Sequence, residues 1–225
     1  MEKVTITIFT DPMMGLSYEC QPVFDRLCAH YGEQLELRHV MAGLVRDVSD
    51  FMTPQERDLL ARNAEEGIRV YCRRLAQIYK SEETIGGLPI NMEGFHLFDA
   101  DHRTSWPLNI AYKAAQLTDP DKADLFLHNL RTATIVETRQ TTKTEEILRV
   151  VRKTGIDEKA FLDKVEDGSA REAFYKDLEY TKSLGIHSLP SYLIQHGERV
   201  LLIQSLIGYE DFLQLIEWVK ETADR

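Results

Sequence analysis

The run Val4-Thr-Ile-Thr-Ile-Phe9, a helical register over residues 17–31 and a second run, Leu35-Glu-Leu-Arg-His-Val-Met41, together decide how this chain folds. Val4 to Phe9 alternates β-branched and apolar residues with threonine, the pattern of a strand. After the loop Thr10-Asp-Pro-Met-Met-Gly-Leu16, Ser17 is placed to cap a helix with Cys20 at its third position. Val23, Phe24, Leu27, Cys28 and Tyr31 then follow at three- and four-residue steps, an inward stripe. Gly32 ends that helix. Two strands joined by one helix make a βαβ unit, so they are expected to pair in parallel.

Outward from this unit the character changes. Thr53-Pro-Gln-Glu56 is a capping-box pattern and starts a helix expected to run to about residue 80. More helical registers cover 107–117, 119–131, 144–154, 157–165 and 169–184, with almost no strand signal between them. Strands return at Ser191-Tyr-Leu-Ile-Gln195 and, after the turn His196-Gly197-Glu198, over 199–206, where Gly208 closes the run. An amphipathic helix over 209–222 turns Phe212, Leu213, Leu215, Ile216 and Val219 inward. A helical block between two groups of strands reads as an insertion. The expected fold class is therefore α/β: a thioredoxin-like fold with an inserted all-helical domain. Residues 1–48 and 167–225 would form the sheet domain, and 49–166 the insertion.

The 225 residues carry a formal net charge of −10, which repels phosphate backbones and argues against nucleic acid as a partner. The basic clusters at 149–153 and 69–74 are interleaved with apolar residues at helical spacing and read as solvated helix faces. No stretch approaches the ~20 apolar residues of a membrane helix, and the N-terminal run is too short and too alternating for a signal segment. A cytoplasmic protein is expected. Three cysteines (Cys20, Cys28 and Cys72) do not make a disulfide framework.

Asp11-Pro-Met-Met-Gly-Leu-Ser-Tyr18 resembles the D-P-x-C-x-W-C-[WY] loop of DsbA-like proteins of the FrnE branch. Gly185-Ile-His-Ser-Leu-Pro-Ser-Tyr192 is similar to that family's cis-proline segment, and Thr104-Ser-Trp-Pro-Leu-Asn-Ile-Ala-Tyr-Lys-Ala-Ala115 to a segment of its helical domain. With the element order, the resemblance covers essentially the whole chain. Carried over residue by residue, it puts the family's nucleophilic cysteine on Met14 and its resolving cysteine on Ser17, with Gly15 and Leu16 between. It also implies a cis bond before Pro190 and a groove bounded by Met14, Gly15, Leu16, Ser17, His187, Leu189 and Pro190 that accepts an extended peptide or glutathione.

The departures decide the chemistry. Dithiol exchange needs a thiolate at the first position and a second thiol one turn on. A methionine thioether has no proton to lose and forms no disulfide, and nothing nearby in sequence would ionise the Ser17 hydroxyl. Cys20 is the alternative thiol, although its bland reading is a small buried hydrophobe. Cys28 lies about 12 Å further along a helix, beyond the ~7 Å between Cα atoms that a disulfide tolerates. Cys72 reads as core.

Other candidates carry less. His96, Asp99, Asp101 and His102 have irregular spacing and read as a polar turn, so no metal site is expected. A Ser17–His187 hydrolytic pair lacks the G-x-S-x-G elbow. Three functions compete. One is a catalytically silent relative that binds a peptide or protein partner beside Pro190, as the resemblance of the wider branch to protease adaptors allows. Another is a glutathione-dependent enzyme similar to kappa-class glutathione transferases and hydroxychromene-carboxylate isomerases, which carry serine at the first cysteine's place, where this chain has Met14. The third is a single-thiol oxidoreductase using Cys20. No resident cofactor is expected, although glutathione is compatible with the second reading, and a homo-oligomer is left open.

Overall fold

A computed structural model of the chain describes residues 3–221. Strand β1 (Val4–Thr10) pairs in parallel with β2 (Leu35–Met41), Val4 opposite Leu35 and Thr10 opposite Met41. Strand β3 (Ser191–His196) lies antiparallel on the other side of β1, and β4 (Arg199–Ile203) antiparallel beyond it, giving the order β2-β1-β3-β4. The period of two in β1 sends Ile6 and Ile8 to one face and Phe9 to the other.

Between β1 and β2 the chain forms α1 (Gly15–Glu19) and α2 (Gln21–Tyr31). The single helix expected from Ser17 is thus two helices, and the first starts earlier, with Met14 as its N-cap. Pro22 explains the break: it lacks an N–H, and in a continuous helix its ring would meet the Tyr18 carbonyl. The chain closes α1 on the Cys20 N–H to Leu16 carbonyl bond (3.1 Å) and restarts with Pro22 in the first turn of α2. Ser17 is therefore inside a helix and caps nothing. Cys28 is exposed, a second departure from the expected inward stripe.

Between β2 and β3 the chain forms α3 (Pro54–Arg62), α4 (Ala64–Gly86), α5 (Trp106–Thr118), α6 (Pro120–Ile135), α7 (Thr144–Thr154), α8 (Glu158–Glu166) and α9 (Ser169–Ser183). The capping box forms as read: Thr53 Oγ1 accepts from the Glu56 N–H at 3.2 Å, and Glu56 Oε2 accepts from the Thr53 N–H at 2.7 Å. The helix expected to reach residue 80 instead breaks at Asn63. That residue is extended (φ −150°), and its Oδ1 takes the Glu66 N–H, starting α4 as a new helix.

After β4, α10 (Tyr209–Glu221) returns across the sheet. Its expected end at Thr222 lies outside the described residues. Strand β4 stops at Ile203, three residues short of expectation. Gln204 is engaged elsewhere, its Oε1 accepting from the His187 N–H (3.0 Å) and its carbonyl from Ser188 Oγ (2.7 Å).

Ile6 and Ile8 pack with Phe24 and Leu27 of α2 and with Phe212, Ile216 and Val219 of α10. Each such fully buried side chain contributes on the order of 1.5–3 kcal/mol. On the other face Phe9, Val40 and Leu193 form a smaller cluster. The helical block has its own core, into which Met13, Tyr18, Met41 and Val45 from the sheet side reach. Phe174 of α9 is fully buried in that core, and Asp177 of the same helix accepts the Met41 N–H at 2.8 Å. The site region is clamped where these cores meet.

Candidate functional site

The loop between β1 and α1 is set by one carboxylate. Asp11 is fully buried; its Oδ1 accepts the Met13 N–H two residues on (3.1 Å). Its Oδ2 accepts from the Leu44 N–H (2.8 Å), Ser105 Oγ (2.7 Å) and Asn109 Nδ2 (2.8 Å). The Asp-Pro loop and the Ser105–Asn109 segment, two of the stretches singled out in the sequence, are thus joined through this side chain. Burial pushes the Asp11 carboxyl up, and these hydrogen bonds pull it back.

Inside this frame Met14 and Ser17 are both buried. A relay of hydrogen bonds links them to the helical block. Arg131 Nη2 on α6 donates to Thr10 Oγ1 (2.8 Å), Thr10 Oγ1 donates to Ser17 Oγ (2.7 Å), and Ser17 Oγ donates to Met14 Sδ (3.9 Å). Thr10 Oγ1 also lies 3.4 Å from the Asp11 carbonyl, and the contact to the thioether is the longest of the series. Arg131 is buried, its Nε has no hydrogen-bond partner, and burial lowers its pKa to about 10.

The expected groove residues separate into two hollows. Met14, Gly15, Leu16 and Leu189 line an apolar groove of about 240 Å³ together with Met13, Phe51, Leu75, Ile78, Tyr79 and Glu82. Ser17, Cys20 and Pro190 line a second cavity of about 190 Å³ on the side of α2 and α6, with Arg131, Tyr192 and Cys28. The Leu189–Pro190 peptide bond is cis. His187 lines neither hollow: it is exposed, with Nδ1 at 3.2 Å from the Gly185 carbonyl, and forms no pair with Ser17.

The thiols differ sharply in setting. Cys20 is buried, 3.6 Å from the Tyr192 hydroxyl, and burial pushes its pKa up. Cys72 is buried with its Sγ 3.7 Å from the Phe98 carbonyl, and burial raises it too. An aromatic disulfide reagent should therefore react first with Cys28, and with Cys20 and Cys72 only after unfolding. Equal rates at Cys20 and Cys28, followed by mass spectrometry, would refute this burial order.

In the 96–102 turn, Asp99 accepts from His102 Nδ1 (2.7 Å) and Gln140 Nε2 (2.7 Å). Among the described residues no group of three His, Cys, Asp or Glu side chains is placed to hold a metal. The sequence reading missed Asp11, Ser105, Asn109, Arg131, Glu19 and Glu82. The first three sit in quoted motifs, and an Asp before Pro ahead of a helix is itself a turn signal. The others depend on contacts between distant elements and left no local mark.

A four-stranded sheet of this order, with a helical block between β2 and β3 and a cis proline opening β3, defines a thioredoxin-like fold of the DsbA-like kind. A thioredoxin family profile matches residues 8–210, and the chain belongs to that family. It is 22% identical over 215 residues to the ClpXP adapter protein SpxH of Halalkalibacterium halodurans, a match covering 94% of this chain and 66% of that protein. The chain thus spans about two-thirds of that relative's length. Among solved structures, a putative protein disulfide isomerase from Nitrosomonas europaea superposes with a TM-score of 0.78 at 17% identity, covering 98% of this chain and 99% of the other. The cytosolic disulfide reductase DsbM from Pseudomonas aeruginosa with GSH gives 0.64 at 18%, covering 98% and 97%. No helix among the described residues is long and apolar enough to cross a membrane.

Proposed function

We propose that Met14 and Ser17 stand where DsbA-like relatives carry their exchanging cysteines, and that this chain is a cytoplasmic polypeptide-binding protein without dithiol exchange. The observation that carries the reading is the relay ending on Met14 Sδ. A thioether has no proton to lose, and the Ser17 hydroxyl meets only Thr10 Oγ1 and Met14 Sδ, neither of them a base, so neither position holds an exchanging thiolate. Beside them the apolar groove between Leu16 and Leu189 has the lining of a peptide-binding cleft. Resemblance to proteins named as adapters for ClpXP supports a role in presenting a bound client.

Three measurements test it. The protein should reduce insulin no faster than buffer, and the Met14→Cys/Ser17→Cys variant should form an intramolecular disulfide on mild oxidation. The three-residue spacing on a helix puts the Cα atoms about 5 Å apart, within bonding range. A peptide-display library should yield binders whose affinity is lost in Leu16→Glu. Insulin reduction by the unmodified chain would overturn the exchange claim; enrichment unaffected by Leu16→Glu would overturn the groove.

A glutathione-binding alternative has one supporting observation: Ser17, Cys20 and the buried Arg131 line one cavity, and a structure with the same fold was solved with GSH. Calorimetric titration with glutathione decides it, and an absence of heat at millimolar ligand removes that reading.

A further inference from the structure

We propose that Glu82 makes the groove selective for a polypeptide segment that places a lysine or arginine side chain in it, an inference that rests on the groove reading above. Along α4, Leu75, Ile78, Tyr79 and Glu82 recur at the spacing of one helix face, so a single stripe of that helix forms a wall of the groove. Every other lining residue is apolar, aromatic or glycine, and Glu82 is the one that carries charge. Its Oε2 is buried without a hydrogen-bond partner. Among the ion pairs of the described residues, none includes Glu82. A desolvated carboxylate oxygen left unpaired costs free energy that a cationic ligand would recover.

Two further features define the surroundings of the carboxylate at the start of α1. A side chain at Gly15 would run into Glu82 Oε2, so glycine there keeps the space the carboxylate occupies. Behind it Glu19, fully buried, accepts the Gly86 N–H (2.9 Å) and the Leu88 N–H (3.2 Å) through Oε2, while its Oε1 has no partner. Glu82 is thus the acid that reaches the otherwise apolar cleft, negative once the solution is above about pH 7, with Glu19 buried behind it. Lysine and arginine match this chemistry, with methylene stems for Leu75, Ile78 and Tyr79 and a charged head for Glu82. A carboxylate or phosphate on the ligand would be repelled.

The test uses small probes on the whole protein, so it does not wait for a natural partner. At pH 8, where Glu82 is ionised, n-butylguanidinium and n-pentanol are titrated while the methyl resonances of Met13 and Met14 are followed by NMR, in the natural protein and in Glu82→Gln. The guanidinium should saturate at a concentration at least tenfold below the alcohol, and Glu82→Gln should abolish that difference while leaving the alcohol response. Equal midpoints for both probes, or a preference that survives Glu82→Gln, overturn the selectivity and leave the groove reading standing. If neither probe moves the methyls and no library peptide binds, the groove reading falls as well.

Discussion

Asp11→Ala is expected to lower the unfolding free energy by roughly 3–5 kcal/mol, because it leaves the Met13 and Leu44 N–H groups, Ser105 Oγ and Asn109 Nδ2 without their shared acceptor in a closed interior. For a chain of this size that corresponds to a drop of about 8–15 °C in the thermal midpoint. The loss arises at the seam between the two packing units, where the β1–α1 loop is held against the start of α5, and not in either core. Asp11→Asn should do better than alanine but less well than the natural residue, since an amide keeps one acceptor oxygen and turns a donor toward donors. Circular dichroism melts of the three proteins check this order. A midpoint for Asp11→Ala within ~2 °C of the natural protein would mean that water or a rearranged loop satisfies those donors.

The legibility of this protein follows the range of the interactions. Strand β2, helix α7 and the Thr53–Glu56 box were readable because a period, a cap or a turn residue within one segment determines them. Misreadings occurred where a local rule was overlooked or a distant group intervened. Pro22 splits the first helix by a backbone rule that the apolar stripe masked. Asn63 is a single polar residue inside the long helical register that starts at Thr53, yet its side chain starts a new helix. Strand β4 ends early because Gln204 is committed to the loop before Pro190, a tie across 16 and 17 residues that no window detects.

The same division runs through the site. That residue 14 lacks a thiol is plain from the sequence, and so is the pairing of Leu189 with Pro190. That Ser17 and Pro190 face one cavity while Met14 and Leu189 face another is not, because α1 separates the two hollows and starts three residues earlier than its apolar stripe indicates. Glu82 lies beyond the expected end of its helix at about residue 80, and only the approach of α4 to Gly15 gives it an environment.

That environment makes stability depend on pH in a defined direction. Burial first, and the nearby Glu19 second, raise the Glu82 pKa from the ordinary glutamate value of 4.5 to about 7. The titratable groups near it are Glu19 of α1, Cys20 just after it and Tyr79 of its own helix, which supply no positive charge. Between pH 4.5 and about 7 the folded chain retains a proton that the unfolded chain has released, so its stability falls as pH rises through that window and the loss is complete above it. Glu82→Gln removes this penalty. Allowing for the solvent that reaches this partly exposed side chain, the gain at pH 8 should be on the order of 1.5 kcal/mol, or roughly 3–6 °C. At pH 4.5 it should nearly vanish, because both states then hold the proton. Thermal melts of the two proteins at pH 4.5, 6 and 8 measure it, and a pH-independent difference would show that the carboxylate is not the cause. If the same variant that gains stability also loses its preference for a guanidinium ligand, the two results together identify a group kept at a cost to the fold because the groove uses its charge.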